Sequence, residues 1–84
     1  MFSKLHVGNL NSHTTAADLR TLFAQQGEVK ETQVVTDPHS GRSRGFGFVE
    51  MATPDEAKTA ISALDGHDVD GRDITVAIAK PRSH

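Results

Sequence analysis

The densest grouping of residues able to do recognition chemistry is the run Arg42-Ser43-Arg44-Gly45-Phe46-Gly47-Phe48-Val49-Glu50. Two cations precede two phenylalanines that stand two positions apart. On a strand, positions two apart share a face. Phe46, Phe48 and Glu50 therefore lie on one side, and Gly47, Val49 and Met51 on the other. Burying an unpaired carboxylate is costly, so Glu50 assigns its side to solvent, and two of the chain's four phenylalanines go with it. Adjacent rings on an open sheet mark a binding surface rather than a core. Flat rings offer faces on which nucleic-acid bases stack, at about 1–3 kcal/mol per base. Arg42 and Arg44 before the rings, with Lys80 and Arg82 near the end of the chain, supply cations for phosphates. The competing reading puts both rings in the core and Glu50 at a frayed strand end. It gives the flanking cations no role.

Other chemistries are poorly served. His6, His13, His39, His67 and His84 include no tight pair at ligand spacing, and the 84 residues contain no cysteine. The expectation is no metal and no cofactor. Asp65, Asp68, Asp70 and Asp73 lie near Gly66 and Gly71, without the graded spacing and terminal glutamate of a calcium loop. They read as a solvated acidic turn. Thr36, Ser40 and Ser43 sit near arginines but beside no organised base, so nucleophilic catalysis has no support.

The elements that must position Phe46 and Phe48 follow from periodicity. Lys4 to Leu10 alternates, with Leu5 and Val7 inward and Lys4 and His6 outward, as a half-buried strand does. Asn11 to Thr14 is turn chemistry. Thr15 with Asp18 resembles a capping box, and Leu19, Leu22 and Phe23 follow at helical spacing until Gly27, the expected C′ residue. Val29 to Asp37 reads as a second strand, Pro38 to Ser43 as a loop, and Phe46 to Met51 as a third strand. Thr53 caps a second helix with Pro54 in its first position. Ala57, Ala60, Ile61 and Leu64 are its apolar stripe, and Gly66 stops it. His67 to Arg72 reads as a turn or short hairpin, and Ile74 to Ile78 as the last strand. The halves repeat: each capping threonine precedes apolar residues at +4, +7 and +8. Two intercalated βαβ units give an α+β, ferredoxin-like βαββαβ sandwich, a four-stranded antiparallel sheet with both helices on one face. The whole chain, 1–84, reads as one domain with a core over about 4–82.

Two stretches of the chain resemble the motifs of a known family. Arg44-Gly45-Phe46-Gly47-Phe48-Val49-Glu50-Met51 resembles the octamer of the RNA recognition motif, and Leu5-His6-Val7-Gly8-Asn9-Leu10 resembles its companion hexamer. The chain looks most like single-domain bacterial RNA-binding proteins and the recognition domains of glycine-rich RNA-binding proteins. The resemblance implies that Phe46 and Phe48 contact RNA through base and sugar, and that His6 takes the hexamer's stacking position. The family usually has Phe or Tyr there. Histidine is the side chain whose charge changes closest to neutral pH, so this departure adds a pH dependence. Met51 replaces a frequent aromatic, but by parity it faces the core. Arg44 and Lys4 are expected at phosphates or base edges. Arg42, Lys80 and Arg82 would clamp the strand, and Gln33 and Thr75 would make modest polar contacts. Val35 and Ala77 share that face, and Asn9 tethers the turn after the first strand.

The reading that results is non-catalytic binding of single-stranded RNA, in post-transcriptional regulation or RNA chaperoning, with single-stranded DNA a weaker ligand. Ferredoxin-like folds also host small phosphatases that use an Asn and an Arg, but Asn11 to Thr14 lacks a glycine-rich phosphate cradle. The rival within the family's architecture is a protein-interaction module. Phe46 and Phe48 on the sheet and polar outer helix faces (Asp18, Arg20, Gln25, Asp55, Lys58, Ser62) argue against it. A monomer is expected, with pairing through the last strand at Ile78 left open. No apolar run or leader suggests a membrane or secretion, so the expected location is the cytoplasm, or the nucleus in a eukaryote. The formal net charge is −2, at first sight unfavourable for a polyanionic ligand. Pro54 to Asp73, however, holds six acids against two bases, a net of −4, which leaves +2 on the rest.

Overall fold

The computed structural model describes residues 3–79. In chain order the elements are β1 (Lys4–Gly8), α1 (Ala16–Ala24), β2 (Val29–Thr36), β3 (Ser43–Met51), α2 (Pro54–Leu64), β4 (Asp68–Val69), β5 (Arg72–Asp73) and β6 (Thr75–Ile78). Four strands form one sheet in the order β2-β3-β1-β6, and β4 pairs with β5 as a separate ribbon. Every pairing in the sheet is antiparallel. Alternation decides which face is covered. Leu5, Val7, Val49, Met51 and Val76 point inward and are buried against Leu19 and Phe23 of α1 and Ala57, Ala60 and Leu64 of α2. Both helices thus lie on one side, as expected. Among the described residues no helix is long and apolar enough to cross a membrane.

Both helix starts follow the cap chemistry. Thr15 accepts from the Asp18 N–H while the Asp18 carboxylate accepts from the Thr15 N–H, a complete capping box. Thr53 accepts from the Glu56 N–H, and Pro54 occupies the first turn, where no N–H is needed. Glu56 does not bond back to its own cap backbone. One carboxylate oxygen accepts from the Thr53 hydroxyl, and the other from the Glu28 N–H. That contact corrects the reading of Gly27. The α1 cap is Gln25, so Gly27 lies one residue beyond C′. A Cβ on it would fall 2.6 Å from Glu56 Oε2, so Gly27 makes room for the carboxylate that ties α2 to the start of β2.

Four further boundaries differ from the periodicity. β1 ends at Gly8 rather than Leu10, where Asn9 turns into the left-handed region at φ 57. β3 starts at Ser43 rather than Phe46, because pairing with β2 continues through residues that carry no apolar signal. In that stretch β3 advances four residues, Ser43 to Gly47, while β2 advances two, Thr36 to Val34. The excess is taken up in a bulge where Gly45 has φ +85 and its carbonyl accepts from the Leu10 N–H. The β2 strand stops at Thr36, and the Asp37 carboxylate caps the loop by accepting from the His39 and Ser40 N–H groups. The last strand starts at Thr75, while the buried Ile74 accepts from Gly66 N–H and donates to His67 C=O.

The stretch read as a turn or short hairpin is a hairpin. Asp70 (φ 53) and Gly71 (φ 87) form its two-residue loop, the left-handed pair that a type I′ turn requires. Its acids Asp65, Asp68, Asp70 and Asp73 are all exposed, the solvated acidic turn expected, but the turn is also fastened to the rest of the chain. Asp70 accepts from the buried Thr14 hydroxyl at 2.8 Å through its carboxylate and from Asn11 Nδ2 at 3.0 Å through its carbonyl. Asp65 accepts from the Val76 N–H and fastens the end of α2 to β6. The signal was local, but the partners lie 56–59 residues away for Asp70.

Candidate nucleic-acid interface

The uncovered sheet face is organised by strand register into three rows. Across the middle run Gln33, Phe48, His6 and Ala77. At one end lie Glu31, Glu50 and Lys4. Toward the other end come Phe46, Gly8 and Thr75, from the register of Gly8 with Thr75 and of Val7 with Gly47. Gly8 leaves a gap in this row. A Cβ there would lie 2.7 Å from Thr75 Oγ1 and 3.3 Å from His6 Cε1.

Phe46, Phe48 and His6 meet as a triangle of half-buried rings. His6 is stacked on Phe46 with centroids 5.6 Å apart and planes 23° from parallel. Phe48 meets His6 edge-on at 5.5 Å and Phe46 at 6.3 Å. His6 is thus part of one aromatic platform. Lys4 Nζ sits 5.1 Å from the Phe48 centroid, within cation–π range. Glu50 carries an ion pair with Lys30 at 4.0 Å. It is solvent-exposed enough to contribute little to stability.

Arg44 shares the parity of Phe46, and the two residues that the bulge adds to β3 preserve it. Beyond Phe46, Arg44 lines a cleft of about 490 Å³ with Asn9, Leu10, Asn11, Ser12, Gly45 and Arg72. Arg42 lines a second cleft with Ser12, His13 and Gly41. Gln33 and Thr75 are exposed on the sheet face as expected. Lys80 and Arg82 lie outside the described residues. Asn9 does tether its turn: Nδ2 donates to the Asp73 carbonyl at 2.8 Å, and Oδ1 accepts from Arg72 Nη2 at 2.8 Å. Arg72 is the residue that sequence reasoning missed. Its position depends on Asn9, 63 residues away, and no local pattern reports it.

The RNA recognition motif profile matches residues 5–75, most of the chain. The chain belongs to the RNA recognition motif family. Its sequence is 49% identical over 80 residues to the putative RNA-binding protein RbpA of Synechocystis, covering 95% of this chain and 79% of that protein. It is 46% identical over 83 residues to the mitochondrial glycine-rich RNA-binding protein 4 of Arabidopsis thaliana, covering 99% of this chain and 61% of that one. Among solved structures it is similar to a Sxl-lethal protein in complex with RNA. The TM-score is 0.86 and the identity 33%, over 92% of this chain and 47% of that chain. Both kinds of relative expected from the octamer, bacterial and glycine-rich, are present.

Proposed function

We propose that this domain binds single-stranded RNA on its uncovered sheet face and performs no catalysis. The observation that carries this reading is the His6–Phe46–Phe48 ring triangle on the side of the sheet away from both helices. A ring cluster placed inward would be core. Placed here, it supplies stacking surfaces that take any base. Family membership and the RNA complex of the Sxl-lethal protein support the same reading. Phe46 and Phe48 are the main platform and His6 the third ring. Lys4, Gln33 and Thr75 meet base edges or sugars, and Arg42, Arg44, Lys80 and Arg82 meet phosphates. The domain acts as a monomer, as one unit over about residues 4–82, and the cytoplasm is its proposed location.

The test is the double variant Phe46→Ala with Phe48→Ala. It is expected to weaken binding of a single-stranded RNA by about 2–4 kcal/mol while the chain stays folded. Unchanged binding, or an unfolded variant, would show that the rings are not the binding platform.

A further inference from the structure

The cleft beside the sheet has a chemistry of its own. Its seven lining residues are Asn9, Leu10, Asn11, Ser12, Arg44, Gly45 and Arg72, and none is a carboxylate. Both of its asparagine amide oxygens are already engaged. Asn9 Oδ1 accepts from Arg72, and Asn11 Oδ1 accepts from the His13 N–H. The amide nitrogens are used as well, Asn9 on the Asp73 carbonyl and Asn11 on the Asp70 carbonyl. The two asparagines therefore build the frame, and the guanidiniums with the Ser12 hydroxyl hold the remaining side-chain donors. Arg72 engages one nitrogen with Asn9 Oδ1, whereas a guanidinium carries five N–H groups. Among the described residues neither Arg44 nor Arg72 has a carboxylate within 4.0 Å. A space of about 490 Å³ lined by unmatched cationic donors suits an anion with several acceptor oxygens.

We propose that this cleft is a phosphate subsite in which Arg44 and Arg72 together hold a backbone phosphate of the bound RNA, with Arg72 positioned by Asn9. The inference rests on the RNA-binding reading and adds a residue and a place to it. Gly45 adjoins Phe46 in sequence, so the cleft opens next to the ring platform. Ser12 lines both this cleft and the one that contains Arg42. The backbone is thereby led off the sheet over the loop between β1 and α1, and away from Glu31 and Glu50 at the opposite end.

The experiment measures binding of a fluorescently labelled random-sequence RNA of about ten nucleotides to the 84-residue chain across a salt series. The variants are Arg72→Met, Arg72→Lys and Asn9→Ala, each checked for folding by its amide spectrum. Neutralising one phosphate contact on a single strand makes the slope of log K against log salt shallower by about 0.7. Arg72→Met is expected to show that change with a loss of roughly 3–10-fold in affinity at low salt. Arg72→Lys should keep the slope. A methylphosphonate scan of the RNA should reveal one linkage whose neutralisation weakens the wild type but not Arg72→Met. Inorganic phosphate is titrated in parallel while the Arg44 and Arg72 Nε–H signals are followed. Shifts seen with RNA but not with inorganic phosphate assign the source as the nucleic-acid backbone. Equal shifts with both would overturn the backbone assignment in favour of a free-phosphate site. If the wild type binds RNA and Arg72→Met keeps both affinity and slope, the subsite is wrong and the ring platform stands. If Arg72→Lys loses slope as fully as Arg72→Met, Arg72 is only a structural tether. If the wild type binds no RNA at all, the RNA-binding reading itself fails.

Discussion

At the scale of single residues, the aromatic triangle makes His6 the most informative position. The imidazole is stacked on Phe46 and met edge-on by Phe48, so it joins the two phenylalanines in one surface. Removing it takes away one of three stacking faces. His6→Ala is therefore expected to weaken RNA binding by about 1–3 kcal/mol while the chain stays folded. Affinity equal to that of the wild type would remove His6 from the platform. Gly47 is a second decisive position, for stability rather than binding. A Cβ there would collide with the backbone of Gln33 and Val34 on β2. Backbone cannot move aside as a side-chain tip can. Gly47→Ala is expected to cost about 1–3 kcal/mol in chemical denaturation, and an unchanged midpoint would show that β2 yields freely.

At the scale of elements, the caps and tethers divide what sequence could show from what it could not. Thr53→Ala removes the acceptor for the Glu56 N–H and is expected to cost about 1 kcal/mol, read as a lower unfolding midpoint. That cap was legible because its partners are three residues apart. So were the order of strands and helices, the helix starts, and the outward side of β3. The parity of Phe46, Phe48 and Glu50 needs only the period of two. The bulge at Gly45 was not legible. Its cause is a difference in strand length between β2 and β3 that only pairing reveals. The bulge residue Gly45 lines the cleft together with Arg44 and Arg72. The Asn9–Arg72 contact and the Thr14–Asp70 contact link residues more than fifty positions apart. Side-chain hydrogen bonds of that range leave no periodic trace, and so the tethers of the exposed hairpin were not legible.

Across the whole molecule, the charge of −2 is less informative than where the charges stand. On the sheet face Glu31 and Glu50 occupy one end, directly opposite each other in register. Arg44 and Arg72 lie in the cleft beyond the other end. Lys4 and Lys30 offset the two carboxylates at the first end, whereas no carboxylate lines the cleft, so a phosphate chain is drawn more strongly to the second. The double variant Glu31→Gln with Glu50→Gln is therefore expected to bind RNA several-fold more tightly at low salt. The gain should vanish at about 1 M salt, where screening shortens the reach of charge to roughly 3 Å. A gain that persists at high salt would have a cause other than charge. The few cations available also predict a shallow overall salt slope and little affinity for duplex DNA.

The small ribbon of β4 and β5 has a kinetic consequence. It is joined by two residue pairs and contributes only the half-buried Val69 to the core, while Asn9, Asn11 and Thr14 hold it to the rest of the chain. A unit with so little buried apolar surface opens far more often than the sheet behind it. Its backbone amides should therefore exchange with heavy water sooner than those of β1 and β3. Each opening withdraws Arg72 from Asn9. An RNA that engages Arg72 must hold the ribbon shut, and the amides of Val69 and Arg72 would then be shielded on binding although no nucleotide touches them. The ribbon would thus report occupancy of the cleft through its own breathing.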